Sequence, residues 1–405
     1  MRQRKKAAVA TAVVAIVALV AIATSSVAST AAAGKPIVIG AAIDTAGTFH
    51  GANMAPFDAP ALEAAQIEIK KINAAGGVDG RPLEIKPLND QLDPNLTKSD
   101  ALKLVDEGVN IGWVTCDVDF ATPAVQEFLA AKLLTVSPCI GTDQMGPSRF
   151  GAAGNLAFTF GNPAQQDGAA AAEWAYAHGW HTADVVTDKL LVYFQNVCQA
   201  FTLRFQQLGG KIVDQESFTQ GDKTIGNVAT RINGKKASVI AFCTSFGTDQ
   251  PAFVAGLRTL GNQTPIIDGW ASDGAYWWSK NPKVTNFYFL TYASALTPDP
   301  SAAVNAFEAK MKAIGQPAQT GGFITGADAV DAIAYAIKQA GGSTNGAKLA
   351  AVLSHLTKFQ TLGGPISFTP TLHSAVGRPY RVIEVNNNKA IYVGLHTAQK
   401  IPNIH

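Results

Sequence analysis

Charge imbalance is almost absent from this chain: 32 lysines and arginines stand against 30 aspartates and glutamates in 405 residues. So weak a net field gives no grip on nucleic acid or on an anionic membrane surface. Catalytic signatures are absent as well. No G-x-S-x-G elbow occurs, and Cys243-Thr244-Ser245-Phe246-Gly247 imitates only part of one. No G-x-G-x-x-G follows a strand-like run. Residues 341–348 (GGSTNGAK) nearly copy a phosphate loop, but Ala347 stands where lysine is required and a helix-like run precedes it. Both departures remove the mechanism, so the chain reads as a non-enzyme with no cofactor. Cysteine is scarce, at four residues, and none falls in C-x-x-C. The histidines are scattered; His178 and His181 form an H-x-x-H with no further ligand nearby, which excludes an ordinary zinc site. Beyond residue 33 no apolar run is long enough to span a bilayer.

What is present begins at the N-terminus. Arg2, Arg4, Lys5 and Lys6 precede an uncharged stretch over 7–28, followed by small residues through 33. That is the pattern of an export signal over 1–33, cut after Ala28 or Ala33. An uncleaved anchor helix is the open alternative, because the stretch approaches the ~20 residues that cross a bilayer. No cysteine lies between 25 and 35, so a lipoprotein anchor is excluded there. Export to a periplasm, cell wall or medium permits disulfides. Cys116 and Cys139 each follow an apolar strand-like run. If those strands are parallel neighbours, both thiols reach one sheet edge, and a Cys116–Cys139 bridge is expected. Pairing of Cys198 with Cys243 stays open.

The length suits two domains. Short β-branched runs at 35–44, 82–90, 110–116, 132–138, 183–188, 237–243 and 264–269 alternate with Ala-rich stretches of helical period. That alternation predicts an α/β fold of doubly wound parallel sheets with helices on both faces. Ligands of such sheets bind beyond the carboxyl ends of the strands. The loops to watch are therefore 44–59, 116–122, 138–147, 188–196, 243–250 and 269–279. They hold many aromatic and polar residues: His50, Phe57, Asp117 and Asp119 early, then Tyr193, Phe246, Trp270 and Asp273. Trp270 suits a stacking wall, whereas the adjacent Trp277 and Trp278 cannot easily both face one site. Asp117 and Asp119 read either as binders of a cation or amine or as a helix cap. His50 reads as a ligand donor or as an exposed loop histidine.

A family emerges from longer stretches. KINAAGGVDGRPLEIKPLND (71–90) resembles the first helix–turn–strand unit of type I periplasmic solute-binding proteins, the leucine/isoleucine/valine binders above all. NDQLDPNLTKSDALKLVDEGV (89–109), ATPAVQEFLAAKLLTVSP (121–138), GADAVDAIAYAIKQAG (326–341) and LGGPISF (362–368) follow in that family's order. The resemblance implies two lobes joined by a hinge of three crossings, near 158–163, 290–296 and 363–368. Lobe one is then 35–160 plus 294–362, and lobe two 161–293 plus 363–400. It implies a monomer that closes over a small ligand and serves an ABC permease and ATPase; signalling to a membrane receptor is the alternative. By the same resemblance a ligand carboxylate falls at Asp117–Phe120 (Asp117, Asp119 and Phe120) and at the loop of Cys139, Gly141 and Thr142. Tyr193, Phe246 and Phe323 match the family's aromatic contacts. The acid that holds an amino-acid ammonium in the family falls here on Ala271, with Asp273 two residues on. A plain branched-chain amino acid therefore fits poorly, since a buried ion pair missing one partner costs several kcal/mol. An aromatic or hydrophobic acid or amide fits better.

Overall fold

The computed structural model describes residues 34–49, 51–245 and 247–404. The export signal over 1–33, His50 and Phe246 lie outside the described residues. The first half of the chain runs β1 (Ile37–Ile43), α1 (Ala55–Ala74), β2 (Leu83–Asn89), α2 (Pro94–Asp106), β3 (Ile111–Val114), α3 (Val118–Ala130), β4 (Leu134–Ser137), a short α4 (Pro147–Phe150) and β5 (Ala157–Thr159). Its strands pair β2-β1-β3-β4-β5, parallel throughout. β3 and β4 are buried at every position, because helices cover both faces; that is why they read as continuous apolar runs rather than alternating ones.

The chain then crosses to a second sheet. α5 (Ala164–Ala177), β6 (Thr182–Asp188), α6 (Val192–Gln207), β7 (Lys211–Phe218), α7 (Ile225–Asn233), β8 (Val239–Cys243), α8 (Asp249–Thr259), β9 (Ile266–Asp268) and β10 (Phe287–Thr291) follow. α9 (Ala302–Ala313), α10 (Phe323–Gln339), α11 (Gly346–Leu353), β11 (Phe359–Thr361), β12 (Gly364–Ile366), β13 (Tyr380–Asn386) and β14 (Lys389–His396) complete it. The second sheet is ordered β14-β13-β10-β9-β8-β6-β7. The sequence predicts parallel sheets, and here one edge departs: β13 and β14 run antiparallel to their neighbours. The cause is local. Asn387 and Asn388 both take left-handed φ, 52° and 58°, which is what a tight two-residue hairpin turn requires. A parallel return needs a longer crossover.

Val330, Ile333 and Ile337 of α10 share one buried cluster with Ile37, Ile39, Trp113 and Val136, so the late helices return to the first sheet. So does the stretch after them. Phe368 and Ala375 belong to that same cluster, and Ser374 pairs in parallel with Thr159. The third crossing was expected at 363–368 with 363–400 in lobe two; the strand pairing instead holds 363–376 on lobe one and leaves 377–379 to cross. Arg378 sits in that crossing with no exposed side-chain surface. Its guanidinium donates to the Phe160 carbonyl (2.7 Å), Asn162 Oδ1 (3.1 Å) and Asp328 Oδ2 (2.8 Å). It also lies 5.2 Å from the Tyr292 ring centroid. One side chain therefore touches all three crossings and α10.

Both disulfides are present. Cys116 and Cys139, just past the ends of neighbouring β3 and β4, are bridged with Cα atoms 4.8 Å apart. Cys198 of α6 and Cys243 at the end of β8 form the second bridge, Cα–Cα 5.7 Å.

Candidate ligand cavity between the lobes

The six loops beyond the strand ends converge. Lobe one contributes Met54 and Phe57 from the start of α1, Cys116 and Asp117 from the β3–α3 turn, and Gly141 from the loop after β4. Lobe two answers with Leu191, Tyr193 and Phe194 before and within α6, Ser245 after β8, and Trp270 and Ala271 after β9. As the lobes stand, the cavity between them leaves about 20 Å³, room for roughly one water. A larger guest enters only when the lobes part.

Aromatic contact spans the gap. The Phe57 ring meets Trp270 edge-on, centroids 5.0 Å apart, and Trp270 stacks on Tyr292 at 4.9 Å. Tyr193 lies so close to Gly141 that a Cβ there would sit 2.5 Å from Tyr193 Cε2. Polar ties reinforce this. Asp119 pairs with Arg149 (2.8 Å) in lobe one and accepts from the Val192 N–H (3.0 Å) in lobe two. Gln165 donates to Asp143 at 2.8 Å.

Several backbone donors around the cavity are already taken by the protein's own acceptors. Asp117 caps α3, its Oδ1 accepting from Asp119 N (2.8 Å) and Phe120 N (3.2 Å). Ser137 Oγ accepts from Cys139 N (3.3 Å) and Ile140 N (3.1 Å). Asp44 Oδ2 accepts from Met54 N (3.0 Å) and Ala55 N (3.1 Å), and Asp58 Oδ1 from Cys116 N (2.9 Å). In lobe two, Asp167 Oδ2 holds both Trp270 N (2.8 Å) and the Tyr193 hydroxyl. Such acceptors occupy the helix-start amides that otherwise attract anions.

Burial raises these carboxyls, since low-dielectric surroundings disfavour charge. Asp117 is pushed up to about 7, first by burial and then by the neighbouring Asp119 charge; its two amide bonds and Arg149 oppose the rise only in part. Burial lifts Asp167 to about 6 against the Trp270 N–H and Tyr193 hydroxyl, and Asp58 well above the carboxylate range.

Of the residues singled out in the sequence, Phe57, Asp117, Gly141, Tyr193 and Trp270 line the cavity. The other described ones stand off it. Asp119 is the interlobe tie described above. Phe120 packs edge-on to Phe49 at 6.1 Å. Cys139 is fully buried in its disulfide beneath Cys116. Thr142 accepts from Gln144 N (3.2 Å) through its hydroxyl and from Ser374 through its carbonyl, which fixes the loop. Asp273 turns away from the cavity to Thr291 Oγ1 (2.6 Å) and to Gly321 N, an interlobe bond. Phe323 stacks with Phe307 in the core. Trp277 packs against Phe287 and donates to the Ser272 carbonyl at 2.9 Å. Asp58, Cys116 and Cys139 bring ligand-type atoms within 4.8 Å of one another, but both sulfurs are bonded to each other and are not thiolates.

Sequence reasoning missed Met54, Leu191, Ser245 and Ala271 as wall residues, and Asp167 as the support of Tyr193 and Trp270. Loop position after a strand was the available signal for the first four. Asp167 carried none, because it lies inside α5 and meets its partners only through the fold.

Two α/β lobes, three crossings and a cavity shut between them define a hinged binding protein. The periplasmic binding protein family model matches residues 36–390, and the chain belongs to that family. A Leu/Ile/Val-binding protein homolog of Brucella melitensis is 25% identical over 322 residues, 78% of this chain and 84% of the relative. The substrate-binding protein of the branched-chain amino acid transporter of Streptococcus pneumoniae, solved with isoleucine, superposes with a TM-score of 0.76 at 22% identity. That match covers 89% of this chain and 99% of the other. A solute-binding protein of an ABC transporter from Rhodopseudomonas palustris, solved with 3,4-dihydroxybenzoic acid, gives 0.75 at 20% identity over 91% and 99% of the chains. No described helix is long and apolar enough to cross a membrane.

Proposed function

We propose that the protein is an exported, non-enzymatic solute receptor that closes over a small apolar or aromatic molecule and delivers it to the permease and ATPase of an ABC importer. One observation carries the reading: the cavity is built from both lobes, with Phe57 facing Trp270 across it. A guest between those rings favours the shut state over the open one, and only such differential affinity drives closure. Moving that balance from 1:99 to 99:1 takes roughly 5.5 kcal/mol. An aromatic guest burying about 150 Å² of apolar surface contributes about 4 kcal/mol, and one or two hydrogen bonds make up the rest.

The two solved structures named above are binding proteins of transporters, which supports import over signalling to a receptor. An α-amino acid is less suited. Ala271 lies at the position of the family's ammonium-holding acid, and Asp273 is engaged by Thr291 and Gly321. The test is a thermal-shift screen of the mature protein against amino acids, aromatic acids, amides and sterol-like metabolites. A specific ligand at 100 times its Kd adds about 2.7 kcal/mol of stability. Aromatic or apolar compounds are expected to give the largest shifts. A largest shift from leucine or valine refutes the ligand class, and measurable turnover of any ligand refutes the non-enzymatic reading.

A further inference from the structure

We infer that the ligand presents a hydrogen-bond donor to lobe one, and no carboxylate, with Asp117 as the residue that sets this preference. The inference rests on the binding reading above and deepens it. Its first support is the state of the donors. The amides of Met54, Cys116, Asp119, Phe120, Cys139 and Ile140 all point at the protein's own Asp44, Asp58, Asp117 and Ser137. A carboxylate entering here finds those donors taken. It also finds no lysine or arginine among the described residues of the cavity walls.

The second support is the acceptor that remains. Asp117 lines the cavity at 4% exposure. Both amide bonds go to its Oδ1; among the described residues no hydrogen bond engages Oδ2. An acceptor in that condition on a cavity wall is free to take a donor from the guest, and a hydrogen bond to a charged group is among the stronger ones. On the opposite wall Trp270 is 3% exposed, and its indole N–H has no acceptor among the described residues. A guest that donates at one end and accepts weakly at the other satisfies both. A phenol, alcohol, amine or primary amide qualifies.

Charge acts the same way at pH 8. Asp117 lines the cavity and Asp167 sits behind its Tyr193–Trp270 wall, both ionised above about 7, with Arg149 set against Asp119. Like charges a few ångströms apart in a poorly screened interior repel strongly, so an anionic guest is disfavoured before any contact is weighed.

The experiment uses phenyl, indole and isobutyl scaffolds, each supplied as carboxylate, primary amide, alcohol and amine. Binding to wild-type protein and to Asp117→Asn is measured by calorimetry at pH 8. Asparagine caps a helix about as well as aspartate, so α3 is kept while the cavity-facing oxygen becomes an amide able to donate. The wild type is expected to bind the donor-bearing compounds at least about tenfold more tightly than the matched carboxylates, and Asp117→Asn to narrow or reverse that ratio. Tighter binding of carboxylates to the wild type overturns the inference and leaves the binding reading intact. So does an unchanged ratio in Asp117→Asn with its thermal midpoint preserved. No binding by any member of the series overturns both.

Discussion

Gly141→Ala tests whether the lobes are shut by fit or merely adjacent. Gly141 has no left-handed φ, so alanine suits its backbone; the difficulty is space. A Cβ would stand 2.5 and 2.8 Å from two carbons of the Tyr193 ring. Ordinary contact lies near 3.4 Å, so roughly an ångström must be found where interiors pack without slack. Tyr193 cannot easily supply it. Its hydroxyl is held by Asp167, and its ring lies edge-on to Phe194 (5.9 Å) and Trp270 (6.5 Å). The lobes must open instead. Overpacking of this kind costs about 1–3 kcal/mol, which moves the closed-to-open ratio roughly 5- to 150-fold. Small-angle scattering should show Gly141→Ala with a larger radius of gyration than wild type, at an unchanged thermal midpoint for unfolding. Adding Tyr193→Leu to Gly141→Ala should bring the radius back. Superimposable scattering curves for wild type and Gly141→Ala refute the argument. A collapse of the thermal midpoint with no change in radius refutes it equally, since it locates the damage inside lobe one.

Arg378→Met leaves Asp328 charged in the interior and is expected to lose about 3–5 kcal/mol in urea unfolding. Much of this should return when Asp328→Asn is added, and a loss under about 1 kcal/mol is the contrary result. Stability should also depend on pH with an unusual sign. Burial pushes Asp117 and Asp273 up to about 7, and Asp90, Asp167 and Asp188 to about 6. The folded chain thus keeps protons that the unfolded chain has released, so stability falls as pH rises from the ordinary value of 3.8 to about 7. The urea midpoint should be higher at pH 5 than at pH 8. A midpoint that climbs across this window speaks against these burials.

How much of this was legible depended on distance along the chain. The runs over 35–44, 110–116 and 237–243 each became a strand of a parallel sheet, because β-branched residues buried on both faces leave an apolar signature that needs no partner to read. The Cys116–Cys139 bridge followed from the same local logic, since two strands in parallel register place their ends together. β7, exposed or half-buried along most of its length, offers no continuous apolar run and was not read as a strand, and β14 turns back antiparallel to β13 through two asparagines that carry no apolar signal at all.

The cavity was half legible. Position after a strand marked Asp117, Tyr193 and Trp270, and the family resemblance marked Gly141. Composition and periodicity by themselves determined the α/β class and the loops that matter. Only the tertiary structure decided where each side chain of those loops points. Asp119 and Asp273 tie lobe to lobe, Phe323 goes to the core, and Asp167 reaches across from α5 to hold Tyr193 and Trp270. The physical reason is that a strand end fixes a loop's address to within a few ångströms, whereas a hydrogen bond is won or lost over less than one, by partners a hundred residues away.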